Sequence, residues 1–148
     1  MQQLLFLCTG NYYRSRYAEI LFNELAAAAG LEWRAFSRGL EPDSLNPGPM
    51  SRHTMAELTR LAIKYDEHLR LPLAVTSADF EQANHVVAVK EAEHRRMIER
   101  GFAEWLPKVE FWHVHDLDCC GPEAALPHLH SEVAALVDRL QKRNATAE

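Results

Sequence analysis

Residues 3–21 read QLLFLCTGNYYRSRYAEIL, and three local signals follow one another within them. Leu4-Leu5-Phe6-Leu7 is a short apolar run ending at Cys8, the pattern of a strand buried on both faces. Thr9-Gly10-Asn11 breaks it. From Ser15 the apolar positions move to Tyr17, Ile20, Leu21, Leu25 and Ala28, the three-and-four spacing of a helix face, and Gly30 stops it. Strand, tight turn and helix in so short a stretch form the opening unit of an α/β fold.

The rest of the chain continues the alternation. Residues 32–36 predict a second strand, left through Ser37-Arg38-Gly39, and residues 41–49 hold three prolines and a glycine, hence a loop. A helix is expected over residues 51–64, with Met55, Leu58, Leu61 and Ala62 on one face. Thr76 can cap a short helix through Phe80. Residues 85–89 read as a third strand, 91–100 as a charged helix ended by Gly101, and 109–114 as a fourth strand. Pro122 can begin a last helix, but Pro127 is expected to delay it to residues 131–140. Residues 1–141 are read as one domain and the polar segment 142–148 as a disordered tail. Strands alternating with helices imply α/β architecture, a doubly wound parallel sheet with helices on both faces. Ligands in such folds bind beyond the carboxyl ends of the strands, where Cys8, Gly39, Lys90 and Asp116 all fall.

The 148 residues suit a single core, and 47% apolar with 25% charged residues is ordinary for a globular protein. No apolar run nears the roughly 20 residues needed to cross a bilayer, and the start lacks the marks of a signal peptide. A net charge of −5 with no basic stripe argues against nucleic acid as partner. Three cysteines make no disulfide framework, so a cytoplasmic protein with free thiols is expected, without a membrane partner and as a monomer.

Cys8-Thr9-Gly10-Asn11-Tyr12-Tyr13-Arg14-Ser15 carries the chemistry. A bare Cys-x5-Arg match is weak, but here the Cys ends a buried strand and the Arg begins a helix. Gly10 and Asn11 tolerate left-handed backbone at the bend. Amides turned inward beside a helix N-terminus make a seat for a tetrahedral dianion. Cys8, favoured there as a thiolate, would attack phosphorus. Arg14 would grip two phosphate oxygens as a fork, Ser15 would donate to the sulfur, and Asn11 would lock the loop. The competing reading, Cys8 as a small core residue, leaves this loop unexplained.

Residues 4–19, LLFLCTGNYYRSRYAE, resemble the phosphate loop of the low-molecular-weight protein tyrosine phosphatases, a family that includes arginine phosphatases and thioredoxin-coupled arsenate reductases. Ser37-Arg38-Gly39 resembles its Ser-Ala-Gly segment, with Ser37 as a supporting residue. Residues 78–94, ADFEQANHVVAVKEAEH, resemble its helix–strand–helix centre, and residues 112–116 the approach to its catalytic Asp-Pro. The resemblance implies four parallel strands in the order 2-1-3-4 and a two-step reaction through a cysteinyl-phosphate. It implies no cofactor and no metal, and a phosphorylated protein or small phosphate ester as substrate.

One carboxyl group must protonate the leaving oxygen and then activate water. Asp116 holds the family's position by its spacing from Trp112, and Asp118 is the reserve. Leu117 replaces the family's usual Pro, and Asp118-Cys119 stand where eukaryotic members carry aromatics. Tyr12 and Tyr13 can supply aromatic walls instead, and Tyr13 also replaces a second loop cysteine. Three other readings compete: arsenate reduction with Cys119-Cys120 as resolving thiols, a zinc module built from His113, His115, Asp116, Asp118, Cys119, Cys120, His128 and His130, and a non-catalytic phosphate binder. Lys90, His68, His85 and His94 are given no catalytic part.

Overall fold

The computed structural model describes residues 1–116 and 120–147. Four parallel strands, β1 (Gln2–Cys8), β2 (Trp33–Gly39), β3 (His85–Ala88) and β4 (Val109–Phe111), form one sheet in the order β2-β1-β3-β4. This is the expected order. The α-helices are α1 (Arg14–Ala28), α2 (Arg52–Arg60), α3 (Ser77–Gln82), α4 (Glu91–Gly101) and α5 (Pro122–Ala147).

Side chains of β1 alternate between two cores. Leu4, Phe6 and Cys8 point to the face covered by α1, α2 and α5, where they meet Tyr17, Leu21, Leu58, Leu129 and Val133. Leu5 and Leu7 point to the other face and pack with Phe80 of α3 and Ile98 of α4. Because both faces are covered, β1 reads as a continuous apolar run.

Several boundaries differ from expectation, β2 for one running on to Gly39, and three of the differences bear on the fold. Helix α2 stops at Arg60 because Ala62 adopts a left-handed φ of 61°, a helix end that no glycine announces. The fourth strand closes at Phe111, after which Trp112 and Val114 still donate to the carbonyls of Ala88 and Val89. The last helix starts at Pro122 and runs through Pro127 to Ala147, so the expected delay is not found. Pro127 removes one hydrogen bond, but Ala125, Leu126, Leu129, Val133, Leu136 and Leu140 are all buried along this helix. That apolar stripe outweighs the cost of about 3 kcal/mol for an interior proline. An i,i+4 ion pair between Asp138 and Lys142 (3.1 Å) supports the polar end.

At the carboxyl edge of β2 the chain passes against the loop that follows β1. A Cβ on Gly39 would lie 2.9 Å from the Thr9 carbonyl and 3.0 Å from the Asn11 amide nitrogen. Only glycine fits that approach.

Candidate active site

The turn between β1 and α1 takes its shape from Asn11, whose φ of 51° is left-handed. Its side chain is fully used. Nδ2 donates to Ser15 Oγ and Ser37 Oγ, each at 2.9 Å. Oδ1 accepts from Arg70 Nη1 (2.9 Å) and the Leu73 amide (3.0 Å). Ser37 in turn donates to Glu19 (2.6 Å), which lies 3.3 Å from His68. Burial works against the Glu19 carboxylate, yet His68, Ser37 and Arg70 hold it below the usual range.

The next layer anchors the loop from outside. The Ser51 amide donates to the Tyr12 carbonyl (2.8 Å) and Thr54 Oγ1 to the Tyr13 carbonyl (2.9 Å). Arg16, fully buried, donates to the carbonyls of Pro49 and Arg70 at 2.9 and 3.1 Å, and to that of His68. Burial, and then Arg70, lower its guanidinium to about 10.

Cys8 Sγ lies 2.9 Å from Ser15 Oγ at the floor of a cavity of about 230 Å³. Tyr12, Tyr13, Gly10, Arg14, Asn46 and Asp116 complete its lining. Ser15 Oγ accepts from Asn11 and, while Cys8 is a thiol, from the sulfur as well; its own proton can turn to the sulfur once that is ionised. Tyr12 is braced by donating to the Pro47 carbonyl (2.6 Å). Tyr13 is 5% exposed, and its hydroxyl has no partner. Burial, with Asp116 nearby, pushes that phenol up, so it stays protonated.

Arg14 is 2% exposed, and both of its Nη atoms are engaged. Nη1 donates to Glu93 Oε2 (3.3 Å) and the Val114 carbonyl (3.1 Å). Nη2 donates to Glu93 Oε1 (3.1 Å) and lies 3.3 Å from Asp116 Oδ2. Burial alone would lower this guanidinium, but the Cys8 sulfur, Glu93 and Asp116 together raise it.

The residues expected at the site therefore meet: Cys8, Thr9, Gly10, Asn11, Tyr12, Tyr13, Arg14 and Ser15 in the loop, Ser37 behind Asn11, and Asp116 at the mouth. Asp118 and Cys119 lie outside the described residues. His113, His115, Asp116, Cys120, His128 and His130 do not converge, since among the described residues no group of three His, Cys, Asp or Glu side chains could hold a metal ion. Sequence reading passed over Glu93, Arg70, Glu19 and Asn46, and set His94 aside. His94 is buried against Thr9 (3.1 Å from its Oγ1), and Glu93 is the main partner of Arg14. The available signal was position, because both residues open the helix after the carboxyl end of β3.

A family model described as low molecular weight phosphotyrosine protein phosphatase matches residues 3–144. The chain belongs to this family. It is therefore a family phosphatase by descent. Among solved structures, YfkJ from Bacillus subtilis is 25% identical with a TM-score of 0.83, covering 97% of this chain and 96% of that one. The low molecular weight protein tyrosine phosphatase from T. tengcongensis is 25% identical with a TM-score of 0.76 over 97% and 99% of the two chains. The YwlE arginine phosphatase from Geobacillus stearothermophilus is 23% identical, TM-score 0.74, over 99% and 95%, a likeness of fold. No curated protein sequence matches the chain. Low molecular weight phosphatases thus share this fold with the chain from end to end.

Proposed function

We propose that this phosphatase hydrolyses phosphate monoesters, with protein phosphotyrosine as substrate class, through a cysteinyl-phosphate on Cys8. The observation that carries the reading is the convergence of Cys8, Arg14 and Asp116 on one cavity, with Ser15 against the sulfur from behind. The Cys8 thiolate attacks phosphorus, an S–P bond forms, and the ester P–O bond breaks as the Asp116 carboxyl protonates the leaving oxygen. The Asp116 carboxylate then takes a proton from water as its oxygen attacks phosphorus. The S–P bond breaks, and inorganic phosphate and thiolate are released. Arg14 and the loop amides hold the equatorial oxygens through both steps. No metal or cofactor enters this scheme.

The aromatic walls Tyr12 and Tyr13 suit a flat phenyl ring better than an alkyl chain. Among the described residues no helix is long and apolar enough to cross a membrane. A reducing cytoplasm would keep the Cys8 thiol free.

Rates with matched aryl phosphate, alkyl phosphate and phosphoarginine substrates test the substrate class, and Cys8→Ser tests the mechanism. Aryl phosphate should be preferred, and acid quench should trap a phosphocysteine in the wild type. The Cys8→Ser variant should bind phosphate without turnover. Faster phosphoarginine cleavage would reassign the substrate. Thioredoxin-dependent arsenate reduction without phosphatase activity would replace the reaction.

A further inference from the structure

A guanidinium offers two edges that present paired N–H groups, Nη1 with Nη2 and Nε with Nη2. In Arg14 the first edge is closed by Glu93, with Oε2 3.3 Å from Nη1 and Oε1 3.1 Å from Nη2. The remaining Nη1 proton goes to the Val114 carbonyl, at 3.1 Å. Glu93 is not part of the cavity lining, whereas Cys8, Arg14 and Asp116 are. The Nε–Nη2 edge is the one left to the cavity, and Asp116 Oδ2 rests 3.3 Å from its Nη2.

Glu93 is itself held. Thr9 Oγ1 donates to its Oε1. The Thr9 oxygen lies 3.1 Å from His94 Nε2, while His94 Nδ1 accepts the Lys90 amide at 3.1 Å. An accepting Nδ1 puts the proton of the neutral ring on Nε2, which donates to Thr9. Burial pushes the imidazole down and keeps it neutral. The chain His94 to Thr9 to Glu93 to Arg14 thus reaches the guanidinium from behind the phosphate loop.

We propose that Glu93 is a positioning residue for phosphate binding, its carboxylate occupying the Nη1–Nη2 edge of Arg14 so that only the Nε–Nη2 edge is offered to the phosphate. A buried guanidinium needs a permanent counter-charge. Asp116 cannot supply it throughout, because its carboxyl carries a proton for the leaving group. Glu93 can, and it fixes the rotation of the fork.

This inference rests on the phosphatase reading. The test measures inhibition by inorganic phosphate and turnover of p-nitrophenyl phosphate in the wild type, Glu93→Gln, Arg14→Lys and the double variant. Gln keeps the size but turns a donor toward one Nη. Phosphate affinity should fall about 10- to 100-fold, the worth of one charge-assisted contact, with KM rising more than kcat falls. In the Arg14→Lys background, where there is no fork to orient, the same change should cost less than about 3-fold. Unaltered phosphate affinity in Glu93→Gln, or an equal loss in both backgrounds, would overturn the proposal. Should Glu93→Gln fail to fold, Glu93→Asp keeps the charge, reaches only one Nη, and should weaken phosphate in the same direction. A wild type that neither binds phosphate nor cleaves the ester would remove the phosphatase reading first, so the two failures are distinct.

Discussion

The Asp116 carboxylate lies 3.3 Å from Arg14 Nη2, on the guanidinium edge that a phosphate must take. The proposed acid and the substrate thus compete for one N–H group. Asp116 side-chain exposure is 38%, so it can swing away at small cost. Asp116→Asn should therefore have two opposite effects. It should lower kcat for aryl phosphates by about 10²–10⁴, the usual worth of general acid catalysis. It should also tighten inorganic phosphate about 2- to 5-fold, the worth of a part-exposed ion pair. Steady-state kinetics with phosphate as inhibitor reads both. Full kcat in this variant, with the loss appearing in Asp118→Asn, would move the acid.

Ser15 Oγ lies 2.9 Å from the Cys8 sulfur, placed to donate its proton when that sulfur is a thiolate. The sulfur is the leaving group of the second step, so Ser15→Ala should slow breakdown of the phosphoenzyme more than its formation. We expect kcat to fall about 10- to 100-fold, as for a lost hydrogen bond to a charged group, with little change in phosphate affinity. A pre-steady-state burst of nitrophenol should appear. A variant without a burst and with unchanged kcat would dissociate Ser15 from the sulfur.

The close approach of Gly39 to the loop makes a second kind of prediction. In Gly39→Ala the new Cβ meets backbone at 2.9–3.0 Å, so the loop must move. Overpacking of this kind costs about 1–3 kcal/mol. Activity should fall with it, because the displaced atoms belong to the residues on either side of Gly10. Gly101→Ala is the matched control, since nothing lies within 4 Å of its added Cβ. Thermal melts showing equal shifts for the two variants would contradict this account.

These sites differ in how far sequence could reveal them. The run from Leu4 to Ser15 was legible because each step is local: an apolar strand, a left-handed turn, a helix start. Cys8 and Ser15 meet within that one turn. Glu93 and Arg14 are 79 positions apart, and their contact exists only because β3 lies beside β1 and delivers α4 beneath the loop. Arg70 and Asn11, 59 apart, meet through a segment with no regular pattern at all. The start of α5 was misread for a related reason. Pro127 is a local signal, whereas the burial that overrides it depends on contact with the sheet face and α1.

Glu110 provides the clearest link between charge and stability. Its carboxylate accepts from His85 Nε2 (2.9 Å), Trp112 Nε1 (2.6 Å) and Arg139 Nη2 (2.8 Å), tying β4 to β3 and α5. Burial opposes ionisation, but those three donors hold the group well below the usual carboxylate range. A carboxylate depressed in the folded state stabilises the fold above its unfolded pKa of about 4.3, and that stability drains away as pH falls toward the folded value. The wild type should therefore lose stability progressively below about pH 4.3. Glu110→Gln should be less stable at neutral pH by about 1–3 kcal/mol, since a neutral amide accepts weakly and turns a donor toward one of its partners. Its acid slope should be shallower, though not flat, because Glu93 and Glu19 are depressed too. Turnover at neutral pH should not change, as Glu110 faces α5 rather than the cavity. Urea unfolding midpoints for both proteins across the acid range measure the slopes, and superimposable pH dependences would refute the assignment.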